Sequence, residues 1–218
     1  MLHCSAALLA PWPGSAQSVA ANVGAAGASA PAGRTLLVVG DSLSAEYGLA
    51  RGSGWVALLE QRLAQERIAA GVVNASVSGD TTAGGRSRLP ALLQQHRPSH
   101  VVIELGGNDA LRGLPLATTQ DNLQAMARAA RDAGAKVLIV GMQVPPNYGS
   151  RYGQDFAALF ARVAQTEQAA LVPFLLAGVA DGPGADKRFQ PDRIHPLASA
   201  HPTMLATVWT VMRPWLLR

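Results

Sequence analysis

The stretch Leu36-Leu37-Val38-Val39-Gly40-Asp41-Ser42-Leu43-Ser44 decides the fold of this chain. Four apolar residues that favour β-structure, followed by glycine and a short polar turn, are typical of a buried strand that ends at the carboxyl edge of a sheet. Open α/β sheets bind their ligands at that edge. We therefore expect Ser42, at the tip of the strand, to belong to a functional site.

Apolar segments alternate with amphipathic ones along the rest of the chain. The pattern predicts strands at 35–39, 71–74, 101–105, 136–142 and 170–174 and helices at 54–70, 84–96, 118–133, 154–166 and 199–216. Strands that are separated by helices form a mostly parallel sheet with both faces covered. The prediction is a three-layer α/β/α sandwich with a mostly parallel central sheet, in one domain over residues 34–218.

A serine hydroxyl is nearly unreactive until a base removes its proton and a further group orients that base. The segment Pro191-Asp192-Arg193-Ile194-His195-Pro196 supplies both groups near the C-terminus. Asp192 and His195 are three residues apart at a loop that enters a helix. The carboxylate can therefore hold one ring nitrogen while the other faces Ser42.

Two more polar turns follow apolar segments, one with Gly79-Asp80 and one with Gly106-Gly107-Asn108-Asp109. Each motif also has a simpler explanation. Gly-Asp-Ser and the second glycine-rich segment occur as plain turns, and Asp192 with His195 could be a helix-capping pair. The four motifs together, in this order, favour an active site.

These residues resemble the SGNH (GDSL) hydrolases in order and approximate spacing. Further segments are similar to the bacterial acyl-CoA thioesterase I, lysophospholipase and arylesterase branch, namely 74–81, 88–93, 104–114 and 145–152. The resemblance extends over about residues 34 to 217, and it implies a flavodoxin-like fold. It implies that Ser42 is the nucleophile, that His195 is the general base and then the acid, and that Asp192 orients the imidazole.

The resemblance also implies an oxyanion hole made of the backbone N–H groups of Ser42 and Gly79 and the side-chain amide of Asn108. It implies neither a cofactor nor a metal, and the sequence has no spaced cluster of metal ligands. Asp109 is interpreted as a local hydrogen-bonding partner.

The chain departs from the family pattern at two positions. Arg193 stands where the family often has glycine, and we expect it to alter the loop more than the chemistry. His201 stands in Ala-His-Pro, where the branch more usually has Ala-Gln-Pro, and we do not expect it to replace the base. We interpret His96, His100 and His201 as surface or helix-end histidines.

Substrate preference is expected to come from two apolar loops, 110–116 and 144–149. Leu111, Leu114, Pro145 and Tyr148 would line a groove for an acyl chain, although the same side chains could simply pack against the sheet. The function predicted is cleavage of carboxylic esters and thioesters through an acyl-enzyme. The alternatives are a carbohydrate O-acetyl esterase and, from a different class, a non-catalytic lipid- or glycan-binding module.

Composition limits the partners. The net charge of +4 comes from scattered arginines, with Lys136 and Lys187 as the two lysines, so nucleic-acid binding is not favoured. No apolar run approaches the roughly 20 residues that cross a bilayer, so stable membrane insertion is not expected. Cys4 is the single cysteine, which excludes an internal disulfide. The expected partner is a small acyl ester or thioester, and the oligomeric state does not follow from the sequence.

Residues 1–33 are rich in Ala, Ser, Gly and Pro, with a short apolar patch at 6–10. This composition is typical of part of a secretory signal followed by a linker, but a positive n-region is missing and Pro11 and Pro13 interrupt the apolar part. A start codon assigned downstream of the real one would explain this. The resemblance implies a periplasmic or secreted protein, with the cytoplasm as the alternative.

Overall fold

The structure, a computed structural model, describes residues 33–217. The predicted tail and the possible signal segment therefore lie outside the described residues, apart from Gly33. Five parallel strands form one sheet in the order β2-β1-β3-β4-β5. They are β1 (Arg34–Gly40), β2 (Ala70–Asn74), β3 (His100–Glu104), β4 (Lys136–Val140) and β5 (Ala170–Val172).

Six helices connect and cover the strands. They are α1 (Trp55–Gln65), α2 (Thr82–His96), α3 (Gly107–Leu111), α4 (Leu116–Asp132), α5 (Ser150–Thr166) and α6 (His201–Leu217), with single 3-10 turns at Pro146–Tyr148, Ala185–Arg188 and Ala198–Ala200. Helix α1 packs against α6, whereas α4 packs between α2 and α5, and the two groups cover opposite faces of the sheet. The predicted α/β fold with a parallel sheet is confirmed.

The central position of β1 follows from its sequence. Its residues 36–39 are completely buried, because β2 and β3 flank the strand and helices cover both faces. A strand buried on both faces is a continuous apolar run rather than an alternating one. In α1, residues Trp55, Leu59 and Leu63 recur at helical spacing and face the core.

Several element ends differ from the sequence prediction. Helix α1 ends at Gln65 rather than at 70, because the chain turns at Arg67, which has a left-handed φ of 55°, and then enters β2. Strand β5 ends at Val172 because Pro173 has no N–H for the ladder. The predicted loop 110–116 is partly helical: Leu111 ends α3 and Leu116 begins α4.

Candidate active site

The turn after β1 presents Ser42 at the carboxyl edge of the sheet. Leu43 is buried beneath the turn, whereas Ser42 is half-buried. The N–H groups of Ser44 and Ala45 both donate to the Asp41 carbonyl and close the turn, at 3.2 and 2.9 Å. A Cβ on Gly40 would lie 2.8 Å from Glu104 Oε2 and from the Ser44 side chain, so only glycine fits where the strand ends.

The loop before α6 brings an imidazole to this serine. His195 Nε2 lies 2.8 Å from Ser42 Oγ, and His195 Nδ1 lies 2.6 Å from Asp192 Oδ2. Asp192 Oδ1 also accepts the backbone N–H groups of Ile194 and His195, at 2.9 and 3.0 Å. The Asp192 side chain thus fixes its own loop as well as the imidazole, and it is not a helix cap.

Burial by itself would raise the pKa of Asp192. Hydrogen bonds from the backbone N–H groups of His195 and Ile194, and from the imidazole, outweigh burial and lower the pKa to about 2. Asp192 is therefore ionised at neutral pH. An ionised carboxylate favours the tautomer with the proton on His195 Nδ1, which leaves Nε2 free to accept a proton from Ser42.

The other predicted site residues follow the two strands that flank β1. Gly79 lies in the turn after β2, with a left-handed φ of 79°, and Asn108 is the second residue of α3, after β3. Within residues 33–217, the backbone N–H groups of Ser42 and Gly79 donate no hydrogen bond to a backbone or side-chain acceptor. The sheet order β2-β1-β3 therefore places three groups with available N–H donors on adjacent loops.

Asp41 orients the Asn108 amide. Asn108 Nδ2 donates to Asp41 Oδ2 at 3.1 Å, and the Leu43 N–H donates to Asp41 Oδ1 at 3.0 Å. Burial raises the pKa of Asp41, although these two hydrogen bonds act in the opposite direction. Because one N–H of Asn108 is engaged by Asp41, the second N–H of the same amide has a fixed direction.

Asp109 anchors the segment that carries Asn108. It is buried and accepts the backbone N–H of Thr82 at 2.9 Å, together with the hydroxyl groups of Thr82 and Thr119. The Asn122 amide donates in turn to the Thr82 hydroxyl at 3.1 Å. These contacts tie α3 to the start of α2 and to α4, and Asp109 is a local hydrogen-bonding partner, as interpreted from the sequence.

A second buried carboxyl, that of Glu104, lies behind the turn that carries Ser42. The Ser44 hydroxyl donates to Glu104 Oε2 at 2.7 Å and accepts from Trp55 Nε1 at 3.2 Å. Burial raises the pKa of Glu104 well above its ordinary value, and the neighbouring Asp41 charge raises it further. This chain of contacts joins β3, the turn that carries Ser42, and α1.

Two arginines to which the sequence alone assigns no role hold the Gly79 loop. Arg88 on α2 donates to Asp80 at 2.7 Å, to the Gly40 carbonyl at 3.3 Å and to the Ala75 carbonyl. Arg112, just after α3, donates from Nη2 to the Gly79 carbonyl at 2.8 Å. The partners in these contacts are far apart along the chain, so no periodic pattern in the sequence predicts them.

Three other histidines lie within residues 33–217, and none of them forms a hydrogen bond with Ser42. His201 begins α6, and its Nδ1 accepts the Trp55 N–H at the start of α1 at 3.0 Å, so it caps a helix rather than facing Ser42. His96 ends α2. His100 corrects the sequence interpretation: it is neither exposed nor at a helix end, but buried at the start of β3, edge-on to Trp215 at 4.7 Å between ring centroids.

Arg193 adopts a left-handed φ of 57°, a conformation that favours glycine. Arg193 borders a cavity of about 350 Å³ together with Ala185, Asp186 and Phe189. The hydrogen bonds of His195 to Asp192 and to Ser42 are made with Arg193 in this conformation.

The apolar residues predicted to bind substrate lie on the same edge of the sheet. Leu111 is 47% exposed at the end of α3, and Leu114 is half-buried. Pro145 is exposed, and the half-buried Tyr148 stacks on Tyr152 at 6.1 Å between ring centroids. Leu111 does not pack into the core, so its side chain is available to a ligand.

A family model described as GDSL-like lipase/acylhydrolase matches residues 38–201 of this chain, which include Ser42, Gly79, Asn108, Asp192 and His195. The chain belongs to this family.

Residues 33–217 contain no helix that is both long and apolar enough to cross a membrane. The same residues hold no group of three or more His, Cys, Asp or Glu side chains placed to bind a metal ion.

This GDSL-like acylhydrolase is 55% identical to esterase TesA of Pseudomonas aeruginosa over 185 residues, which cover 85% of the chain and 90% of TesA. It is 41% identical over 173 residues to thioesterase 1/protease 1/lysophospholipase L1 of Escherichia coli K12, covering 79% of the chain and 80% of that relative. The crystal structure of the psychrotrophic esterase EstA from Pseudoalteromonas sp., inhibited by monoethylphosphonate, superposes with a TM-score of 0.79 at 37% identity, covering 85% of this chain and all of EstA.

Proposed function

We propose that this protein is a serine hydrolase that cleaves carboxylic ester and thioester bonds of acyl substrates through an acyl-enzyme. The contact between Ser42 Oγ and His195 Nε2, at 2.8 Å and backed by Asp192 at 2.6 Å, is the observation that carries this function. The relatives named esterase and thioesterase support the same substrate class.

Acylation starts at Ser42. As its oxygen attacks the carbonyl carbon, His195 Nε2 takes the hydroxyl proton, and the ionised Asp192 stabilises the imidazolium that forms. The tetrahedral intermediate then collapses, His195 returns the proton to the leaving alcohol or thiol, and the acyl group remains on Ser42. In the second half, His195 activates water, which attacks the ester and releases the acid.

The negative charge that develops on the carbonyl oxygen needs donors that are already in place. The N–H groups of Ser42 and Gly79 and the amide of Asn108 supply them, on adjacent loops. Removal of one such donor typically lowers turnover by roughly 10²- to 10³-fold. A neutral amide at Asn108 serves this purpose without any change in protonation.

The apolar side chains at the carboxyl edge favour a fatty acyl or aryl substrate over a small polar one. Leu111, Leu114, Pro145 and Tyr148 are the residues we assign to the acyl chain. Each methylene that moves from water into such a groove contributes about 0.8 kcal/mol, or roughly four-fold in affinity. Selectivity should therefore rise with chain length until the groove is filled.

Hydrolysis of p-nitrophenyl esters from acetyl to palmitoyl, together with acyl-CoA thioesters of the same lengths, tests the reaction and the groove. We expect activity that Ser42→Ala abolishes and that is highest at medium or long chains. Leu111→Ser should reduce the preference for octanoyl over acetyl esters by about five-fold. The reason is that the exposed part of the Leu111 side chain, roughly half of it, would no longer contact the acyl chain.

Leu217→Ser is the matched control, because Leu217 is 48% exposed, at the far end of α6. This variant should keep the wild-type chain-length profile. Activity restricted to acetyl esters would instead identify an O-acetyl esterase. Binding of acyl ligands without any hydrolysis that depends on Ser42 would identify a non-catalytic module.

We also propose that the enzyme acts outside the cytoplasm. The Ala- and Ser-rich composition of residues 1–33 and its short apolar patch support this location. Fractionation of cells that express the full chain should release esterase activity with the periplasmic contents or into the medium. Activity that stays with a cytoplasmic marker enzyme would contradict export.

A further inference from the structure

The loops that carry Ser42 and His195 are joined by one side chain, that of Gln190. Its Nε2 donates to the Tyr47 carbonyl at 2.9 Å and to the Pro196 carbonyl at 3.2 Å. Its backbone N–H donates to the His195 carbonyl at 2.7 Å. Gln190 therefore contacts His195, Pro196 and, at Tyr47, the loop that carries Ser42.

Gly48 permits this close approach. It has a left-handed φ of 70°, and a Cβ at this position would lie 2.2 Å from Gln190 Oε1. Any side chain at position 48 would therefore push Gln190 away from the Tyr47 carbonyl. The backbone of the nucleophile loop, at Tyr47 and Gly48, is thus shaped to receive the Gln190 amide.

The Tyr47 ring lies against the imidazole of His195. The two ring centroids are 4.4 Å apart, and the ring planes are tilted by 38°. Tyr47 is 50% exposed and belongs to no part of the core, so its position is not explained by core packing. An aromatic face attracts a nearby cation, and the attraction is stronger where water is partly excluded.

We propose that Tyr47 is a positioning residue, held in place by Gln190, that orients the His195 imidazole and stabilises its protonated form during acyl transfer. This role rests on the proposed function, since the imidazolium forms when His195 takes the Ser42 proton. The neutral base gains little from the aromatic face. The contact therefore favours the transition state over the ground state.

Other groups that face the imidazole have distinct roles. Asp192 accepts from Nδ1, Ser42 lies at Nε2, and the buried Asp41 carries the further charge that interacts with His195. All three groups are retained when Tyr47 is replaced. A change in the pH profile of a Tyr47 variant consequently reports the ring and not these charges.

Tyr47→Leu and Tyr47→Phe, assayed on p-nitrophenyl butyrate across pH, test the role. Leucine should lower kcat by about two- to five-fold and move the acidic limb of the profile by roughly 0.4–0.7 pH unit toward lower pH, because the imidazolium loses the aromatic face. KM should change less than two-fold. Phenylalanine should restore the wild-type kcat and profile, since the hydroxyl has no part in the contact.

Gln190→Ala is the second variant, with the exposed Gln95→Ala on α2 as its matched control. Gln190→Ala should reproduce the fall in kcat, whereas Gln95→Ala should behave as wild type. Equal kcat and equal acidic limbs for Tyr47→Leu and the wild type would overturn the role of Tyr47, as would equal losses for leucine and phenylalanine. Wild-type protein without Ser42-dependent hydrolysis would instead overturn the proposed function.

Discussion

Replacing Asp41 by asparagine should disable the proposed oxyanion donor on Asn108 while the hydrogen bonds of His195 to Ser42 and Asp192 are kept. Asp41 accepts Asn108 Nδ2 at 3.1 Å and the Leu43 N–H at 3.0 Å, so the carboxylate fixes both the amide and the nucleophile turn. A hydrogen bond to a charged acceptor contributes about 1.5–3 kcal/mol. An asparagine keeps one acceptor oxygen, which can serve only one of the two donors.

The magnitude follows from that contribution. Loss of orientation at Asn108 should lower kcat by about 10- to 100-fold, less than the roughly 10²- to 10³-fold expected when a donor is removed outright. KM should stay within about three-fold of the wild-type value, since the donor acts on charge that develops in the transition state.

A double-mutant cycle with Asn108→Ala isolates the mechanism. If Asp41 acts through Asn108, Asp41→Asn should lower kcat in the Asn108→Ala background by less than about three-fold. Steady-state hydrolysis of p-nitrophenyl butyrate gives all four rates. An equal effect of Asp41→Asn in both backgrounds would refute the reasoning and move the role of Asp41 to the nucleophile turn.

Two further predictions concern the Gly79 loop and pH stability. Arg112→Ala should lower kcat by about three- to ten-fold with little change in KM, because the Gly79 carbonyl loses its guanidinium donor. The control is Arg151→Ala, at a side chain that is 97% exposed, and it should leave kcat and KM unchanged. Burial, helped by the charges of Lys136 and Arg34, lowers the pKa of His100 to about 4. The imidazole at position 100 therefore binds a proton more readily in the unfolded chain than in the folded protein. The free energy of unfolding is highest above pH 6.5, where His100 is neutral in both states, and it decreases as the pH falls toward 4. We expect the free energy of unfolding, measured in urea, to fall by roughly 2 kcal/mol more in the wild type than in His100→Leu when the pH is lowered from 8 to 5. An equal pH dependence in the two proteins would contradict this assignment.

The sheet could be predicted from sequence because its strands are apolar runs between clear turn signals. The strand at 36–39 is buried on both faces, and a continuous apolar run of this kind is typical of a parallel sheet covered by helices. The end of α1 could not be placed, because residues 66–69 continue an apolar and charged pattern and the left-handed turn at Arg67 uses a residue with no turn preference.

The order of the site residues along the chain also followed from the motifs. The structure brings Ser42, Asp192 and His195 into contact and places Gly79 and Asn108 on the flanking loops. The supporting contacts were not predictable: Tyr47 and Gln190 are 143 positions apart, and Arg112 reaches Gly79 across 33. Such pairings depend on the tertiary arrangement of loops, which neither periodicity nor local motif encodes.

The separation of the nucleophile from its base has a consequence for synthesis of the protein. Ser42 and His195 lie 153 positions apart, and the base precedes the terminal helix whose His201 caps α1. A ribosome therefore completes the nucleophile turn long before it adds the base. If Ser42 and His195 act as proposed, the serine of the nascent chain stays inert for most of the time taken to translate it, and hydrolysis requires that residue 195 has been added and has reached Ser42.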